Sequence, residues 1–225
     1  MQKRGLANLS FTVLLALSGY RPAVADYYAF AGSSYDRNEY LALSFAGGGS
    51  ADVYTDGFQG WVGTRATNFS TGGPDGNPSY LTGNDAEGLF NDYFVFDLSG
   101  QTSTVTSASM TVGRDTVVGN MTWSLYAPTV PPASLGDAVS PNPRLYAELV
   151  GGPLYGSVAL KQADTSSLVT VQLDPAAVAA INGMIGKGEF AAGGTVNAAV
   201  PEPAGAFLII LGLLGVGIAR YRRAS

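Results

Sequence analysis

The sequence predicts an all-β domain, an antiparallel β-sandwich with one short helix, flanked by an N-terminal export segment and a C-terminal membrane helix. Three observations carry this. Between about Asp26 and Val196, short runs of β-branched and aromatic residues alternate with Gly, Asn, Asp and Pro clusters at sandwich-like spacing. The first five residues carry Lys3 and Arg4 ahead of an apolar run. An uncharged stretch from Ala204 to Ala219 is closed by Arg220, Arg222 and Arg223.

Four segments show the partial period-two alternation of strands: Tyr93–Leu98, Val105–Val112, Met121–Tyr126 and Leu168–Leu173. Two stretches read as loops: Gly72–Pro78 by composition, and Pro128–Pro143, whose five prolines would interrupt any ladder. One helix is expected after Asp174. The aspartate can accept from the first free N–H groups, Pro175 suits the first helical position, and Val178, Ile181 and Ile185 fall on one face before Gly186. It is expected to cover one end of the sandwich.

At 225 residues the chain holds one domain plus targeting segments. It contains no cysteine and no histidine, which excludes a disulfide framework, a thiol nucleophile, a zinc-type ligand cluster and a Ser-His-Asp triad. Outside the two terminal segments, 6 of the 12 basic residues and 16 of the 17 acidic ones remain, a net charge of −10. That field disfavours nucleic acid and suits a solvated surface or divalent cations.

Met1-Gln-Lys-Arg-Gly, the apolar run from Leu6 through Leu17 and the Ala23-Val24-Ala25 triplet have the three parts of a signal peptide. The apolar part is short for a bilayer span of about 20 residues. Small residues at Ala23 and Ala25 fit signal peptidase, so cleavage is expected after Ala25. At the other end, residues 197–225 hold Val200 to Ala204 ahead of an apolar segment long enough for the hydrocarbon layer. The arginines hold the chain end on the cytoplasmic side and leave residues 26–196 outside.

Val200, Pro201, Glu202, Pro203 and Ala204, the single apolar helix and the cluster Arg220, Arg222 and Arg223 together resemble the PEP-CTERM sorting signal. The resemblance covers roughly the last 26 residues. Tyr221 interrupts the arginines and Ala224-Ser225 follows them. It implies recognition by an exosortase, a membrane-embedded cysteine transpeptidase, with processing near Pro-Glu-Pro and loss of the helix. In the family this machinery accompanies exopolysaccharide production in Gram-negative bacteria. Physically, the two prolines fix φ and prevent a helix, which presents Glu202 on an extended segment above the membrane. Gly193-Gly194-Thr-Val-Asn-Ala-Ala-Val reads as a flexible approach to that segment.

A second resemblance lies in Asn91–Gly100 followed by Val105–Val112, which is similar to paired strands of jelly-roll modules in extracellular polysaccharide-associated proteins, including those called DNRLRE. It favours a jelly-roll form of the sandwich.

Two candidate sites stand in the domain. Asp75, Asn77, Asn84, Asp85, Glu87, Asn91 and Asp92 supply hard oxygen donors of the kind calcium prefers, with Asp75, Asn77, Asp85, Glu87 and Asp92 as the ligand set, although the spacing matches no EF-hand loop. Tyr27, Tyr28, Tyr35, Tyr40, Tyr54, Trp61 and Tyr80 crowd the N-terminal half and offer flat apolar faces for sugar stacking, Trp61 foremost. The ectodomain glutamates Glu39, Glu87, Glu148 and Glu189 carry no local glycosidase signature. The expected function is therefore that of a non-enzymatic surface or matrix protein. Signal peptidase and exosortase would process it, the membrane would be a transient partner, and exopolysaccharide would be a further partner. The alternative is a carbohydrate-binding or carbohydrate-active sandwich delivered by the same tail.

Overall fold

A computed structural model of the chain describes residues 26–31, 39–55, 59–64, 79–85, 88–136 and 141–198. Ala23, Ala25, Asp75, Asn77, Glu87, the Pro-Glu-Pro segment and the C-terminal arginines lie outside them, as does the loop read at 72–78. Among the described residues no helix is long and apolar enough to cross a membrane.

The antiparallel all-β class holds. The strands are β1 (Tyr27–Ala31), β2 (Tyr40–Phe45), β3 (Ser50–Tyr54), β4 (Gln59–Gly63), β5 (Tyr80–Asp85) and β6 (Gly88–Asp97), then β7 (Val105–Arg114), β8 (Thr116–Val118), β9 (Met121–Tyr126), β10 (Leu154–Leu160), β11 (Ser167–Gln172) and β12 (Glu189–Ala198). Eight form a curled sheet in the order β10-β9-β12-β6-β5-β1-β8 with β4 also on β6; the other four form the sheet β11-β7-β2-β3. Alternation decides the smaller sheet's inner face. Leu41, Leu43, Met110, Val112, Val169 and Val171 point into one core with Phe94, Phe96, Trp123, Leu125 and Phe190 of the larger sheet.

The segment around Tyr93 to Phe96 is apolar almost without alternation because both of its faces are covered. Phe94 and Phe96 enter the shared core, whereas Tyr93 and Val95 pack with Leu135, Leu145 and Leu149 from the connection between β9 and β10. That connection is the proline-rich stretch read as plain loop. It contains a 3₁₀ turn at Pro132–Leu135 and a short helix, α1 (Pro143–Glu148). Asn142 caps α1, its side-chain oxygen accepting from the Leu145 N–H at 3.0 Å, with Pro143 at the first position. Six residues leave no helical period to read, so one helix was expected where the described residues hold two.

The expected helix is α2 (Pro175–Met184), capped by Asp174, which accepts from the Ala177 N–H at 3.0 Å. Ala177 and Ile181 are buried, and Val178 and Ile185 pack beside them. Asn182 fixes α2 to the start of β7, accepting from the Val105 N–H at 2.8 Å and donating to its carbonyl at 2.9 Å.

The largest correction concerns residues 193–200. Gly193 and Gly194 are not a flexible approach: they lie within β12, which pairs on one side with β6, from Glu189 opposite Asp97 to Gly194 opposite Asp92. On the other side β12 pairs with β9, from Gly193 opposite Tyr126 to Ala198 opposite Met121. The glycines are required sterically. A Cβ at 193 would stand 2.0 Å from the Leu149 carbonyl oxygen, and one at 194 would stand 1.9 Å from Asp92 Oδ1. The folded strand therefore runs to Ala198, two residues past the boundary expected at 196.

Candidate functional site

Trp61 sits in the middle of β4, opposite Asp92 of β6. It was expected as an exposed sugar-stacking ring, but only 4 % of it is accessible. With Leu81 and Phe90 it forms a small buried cluster against which Tyr28 and Phe30 pack. Tyr28, Phe30, Trp61, Leu81, Asp85 and Thr116 line a cleft of about 230 Å³, smaller than the usual small-molecule site. Half of its lining residues are aromatic, with the Asp85 carboxyl and the Tyr28 and Thr116 hydroxyls as polar groups. The indole N–H of Trp61 is buried without a hydrogen-bond partner among the described residues.

The other tyrosines divide between core and surface. Tyr80 is fully buried in the shared core, its hydroxyl donating to the Gly113 carbonyl. Tyr40 and Tyr54 stand on neighbouring strands with ring centroids 5.5 Å apart, and Tyr54 remains 39 % exposed. Tyr35 lies outside the described residues.

The described members of the calcium set are not brought together. Asp85 ends β5 opposite Gly88, whose N–H donates to its Oδ1 at 3.1 Å. Asp92 lies four residues farther along β6, about 13 Å at the rise of a strand. Asn91 is also buried, its side-chain amide donating to the Tyr146 carbonyl at 2.8 Å, and Asn84 pairs with Leu89. Among the described residues no three acidic side chains gather as a metal site would need. The glutamates are likewise dispersed. Glu39 is buried, Glu148 pairs with Arg144 at 2.8 Å on the exposed side of α1, and Glu189 begins β12.

Asp92 belongs instead to a buried charged centre that no sequence pattern marked. Arg114, the last residue of β7, is fully buried, with its guanidinium carbon 4.2 Å from the Trp123 ring centroid and 5.1 Å from that of Tyr80. Stacking of this kind suits the weakly hydrated guanidinium. Its three side-chain nitrogens have no hydrogen-bond partner among the described residues, so rings and nearby charge compensate it. Asp92 is one such charge, its Oδ1 accepting from Trp123 Nε1 at 3.4 Å. Burial pushes the Asp92 carboxyl up to about 7, against the pull of Arg114 and of the Trp123 hydrogen bond. Burial likewise raises the Tyr80 phenol far above its usual range, with Arg114 opposing and the carboxylates of Asp92 and Glu39 adding to the rise.

This centre joins β5, β6, β7 and β9 within the core. Gly194 of β12 completes it by lacking a side chain where Asp92 and Trp123 approach. No protein-family model, curated protein or solved structure matches the chain.

Proposed function

We propose that this is an exported surface or extracellular-matrix protein of a Gram-negative bacterium, associated with exopolysaccharide. A signal peptide ending at Ala25 would carry it across the inner membrane. The C-terminal helix would hold the precursor in that membrane, and an exosortase would process it near Pro201-Glu202-Pro203 and release it to the cell surface or medium. On this reading the chain is the substrate of the chemistry and not its catalyst. The finer form of the fold, a jelly-roll-like β-sandwich, belongs to the same proposal; two antiparallel sheets facing a common core support it.

The observation that carries the reading is the C-terminal motif itself, with its prolines, apolar stretch and arginine cluster in order. The position of β12 adds support. It ends at Ala198 with only Ala199 and Val200 before Pro201, so the motif follows directly on the folded domain. A processing enzyme acting there would remove the membrane segment without entering a paired strand.

Fractionation of cells with and without the exosortase tests this. The full chain is expected in the membrane fraction when the enzyme is absent, and in the surface or medium fraction when it is present. Replacing Pro201, Glu202 and Pro203 together with alanine should trap the chain in the membrane of normal cells. Equal distribution in both strains would sink the proposal.

A further inference from the structure

We infer that the outer face of the four-stranded sheet binds a neutral polysaccharide chain laid across the strands. The inner residues of β2, β7 and β11 fill the core, so the alternate residues face outward. Strand register places Thr170, Thr111, Tyr40 and Tyr54 side by side in one row. That row spans four strands, about 14 Å at the usual strand spacing. The Thr111 and Thr170 hydroxyls are hydrogen-bonded at 2.8 Å, and the two tyrosine rings adjoin each other at 5.5 Å. The next row holds Gln172, Ser109, Ala42 and Asp52, and beyond it lie Ser107, Ser44 and Ser50.

The chemistry of this face selects its partner. Within these rows Asp52 is the one charged residue, on a domain where acidic residues outnumber basic ones by ten. With no lysine or arginine in the rows, they offer nothing to phosphates, anionic lipid or an acidic polymer. Apart from the tyrosines and Ala42, and with Leu168 exposed beside them on β11, they also lack the apolar area that a protein interface core requires. What they present is the exposed hydroxyl and amide groups of Ser44, Ser50, Ser107, Thr170 and Gln172, with Thr111 buried between strands, beside two tyrosine rings of which Tyr54 is 39 % exposed. A neutral sugar polymer matches both parts, since its C–H faces lie on aromatic rings while its hydroxyls exchange hydrogen bonds with Ser, Thr and Gln.

This inference rests on the proposed association with exopolysaccharide and names the surface and the charge class of the ligand. The test is affinity electrophoresis of the full chain in mild detergent. The gels contain the neutral or the acidic fraction of the producing cells' own exopolysaccharide, separated by anion exchange. The neutral fraction should retard the wild type, and the double variant Tyr40→Ala/Tyr54→Ala should bind about tenfold more weakly. Tyr40→Phe/Tyr54→Phe, which keeps both rings, should bind nearly as the wild type does. If the alanine pair melts early, Ser44→Glu/Thr170→Glu serves in its place, because it adds charge at exposed positions without touching the core, and it should also lose binding. Retardation only by the acidic fraction, none by either, or undiminished retardation of the folded variants overturns the inference. Exosortase-dependent release without retardation would leave the sorting proposal standing and remove this surface. Tyrosine-dependent retardation without such release would do the reverse.

Discussion

Alanine at Gly193 is expected to cost about 3 kcal/mol or more, enough to leave a domain of ordinary stability largely unfolded at room temperature in mild urea. The added Cβ would stand 2.0 Å from the Leu149 carbonyl oxygen and 2.7 Å from its carbonyl carbon. Both obstacles are backbone, so no side-chain rotation relieves them. β12 cannot retreat either, because it is hydrogen-bonded to β6 on one side and β9 on the other. Gly100→Ala is the control: its Cβ would meet nothing within 4 Å, and the variant should unfold within about 0.5 kcal/mol of the wild type. Urea unfolding followed by tryptophan fluorescence measures both. A silent Gly193→Ala would mean that residues 193–198 are a linker after all.

Removing the guanidinium of Arg114 is expected to be as damaging, about 3–5 kcal/mol, because Arg114→Ala empties a fully buried site against the Trp123 and Tyr80 rings and removes the charge that opposes desolvation of the Asp92 carboxyl. The same centre sets a pH dependence whose sign is opposite to that of most carboxylates. Burial raises Asp92 to about 7 in the folded state, against an ordinary value of 3.8. Between those values the folded chain holds a proton that the unfolded chain has lost. Its contribution to stability is thus complete below about pH 4 and declines as pH rises toward and through 7. The melting temperature should be higher at pH 5 than at pH 8, and Asp92→Asn should flatten that difference. Arg114→Ala should extend the decline to higher pH, since Arg114 is the main group pulling the Asp92 carboxyl down. A wild-type melting temperature that rises steadily from pH 5 to pH 8 would contradict a neutral Asp92 in the core.

Legibility in the sequence followed burial. Val105–Val112, Met121–Tyr126 and Leu168–Leu173 could be read because alternation survives along them. The Asp174-Pro175 pair announced α2, whereas the equivalent Asn142-Pro143 pair was lost among prolines and opens a helix too short to have a period. β12 was misread because glycine and alanine signal a linker by composition, and only the close approach of Leu149 and Asp92 explains their presence in an interior strand. Trp61 was misjudged for the opposite reason. An aromatic residue in a strand serves core and binding surface equally well, and β4 is buried along its whole length. The charged centre was beyond reach, since residues 80, 92, 114 and 123 meet only when β7 of the smaller sheet packs on β5, β6 and β9 of the larger one. The proposed sorting signal rests, by contrast, on a local pattern of residues alone.

The most direct test of the central claim is the C-terminal residue of the mature protein, determined by mass spectrometry on material from cells that carry the exosortase. The expected terminus lies beyond Ala198 and ahead of the apolar stretch that begins at Ala204, which leaves β12 whole and removes the membrane helix. A mature chain that still ends at Ser225, or one cut within residues 189–198, would contradict it.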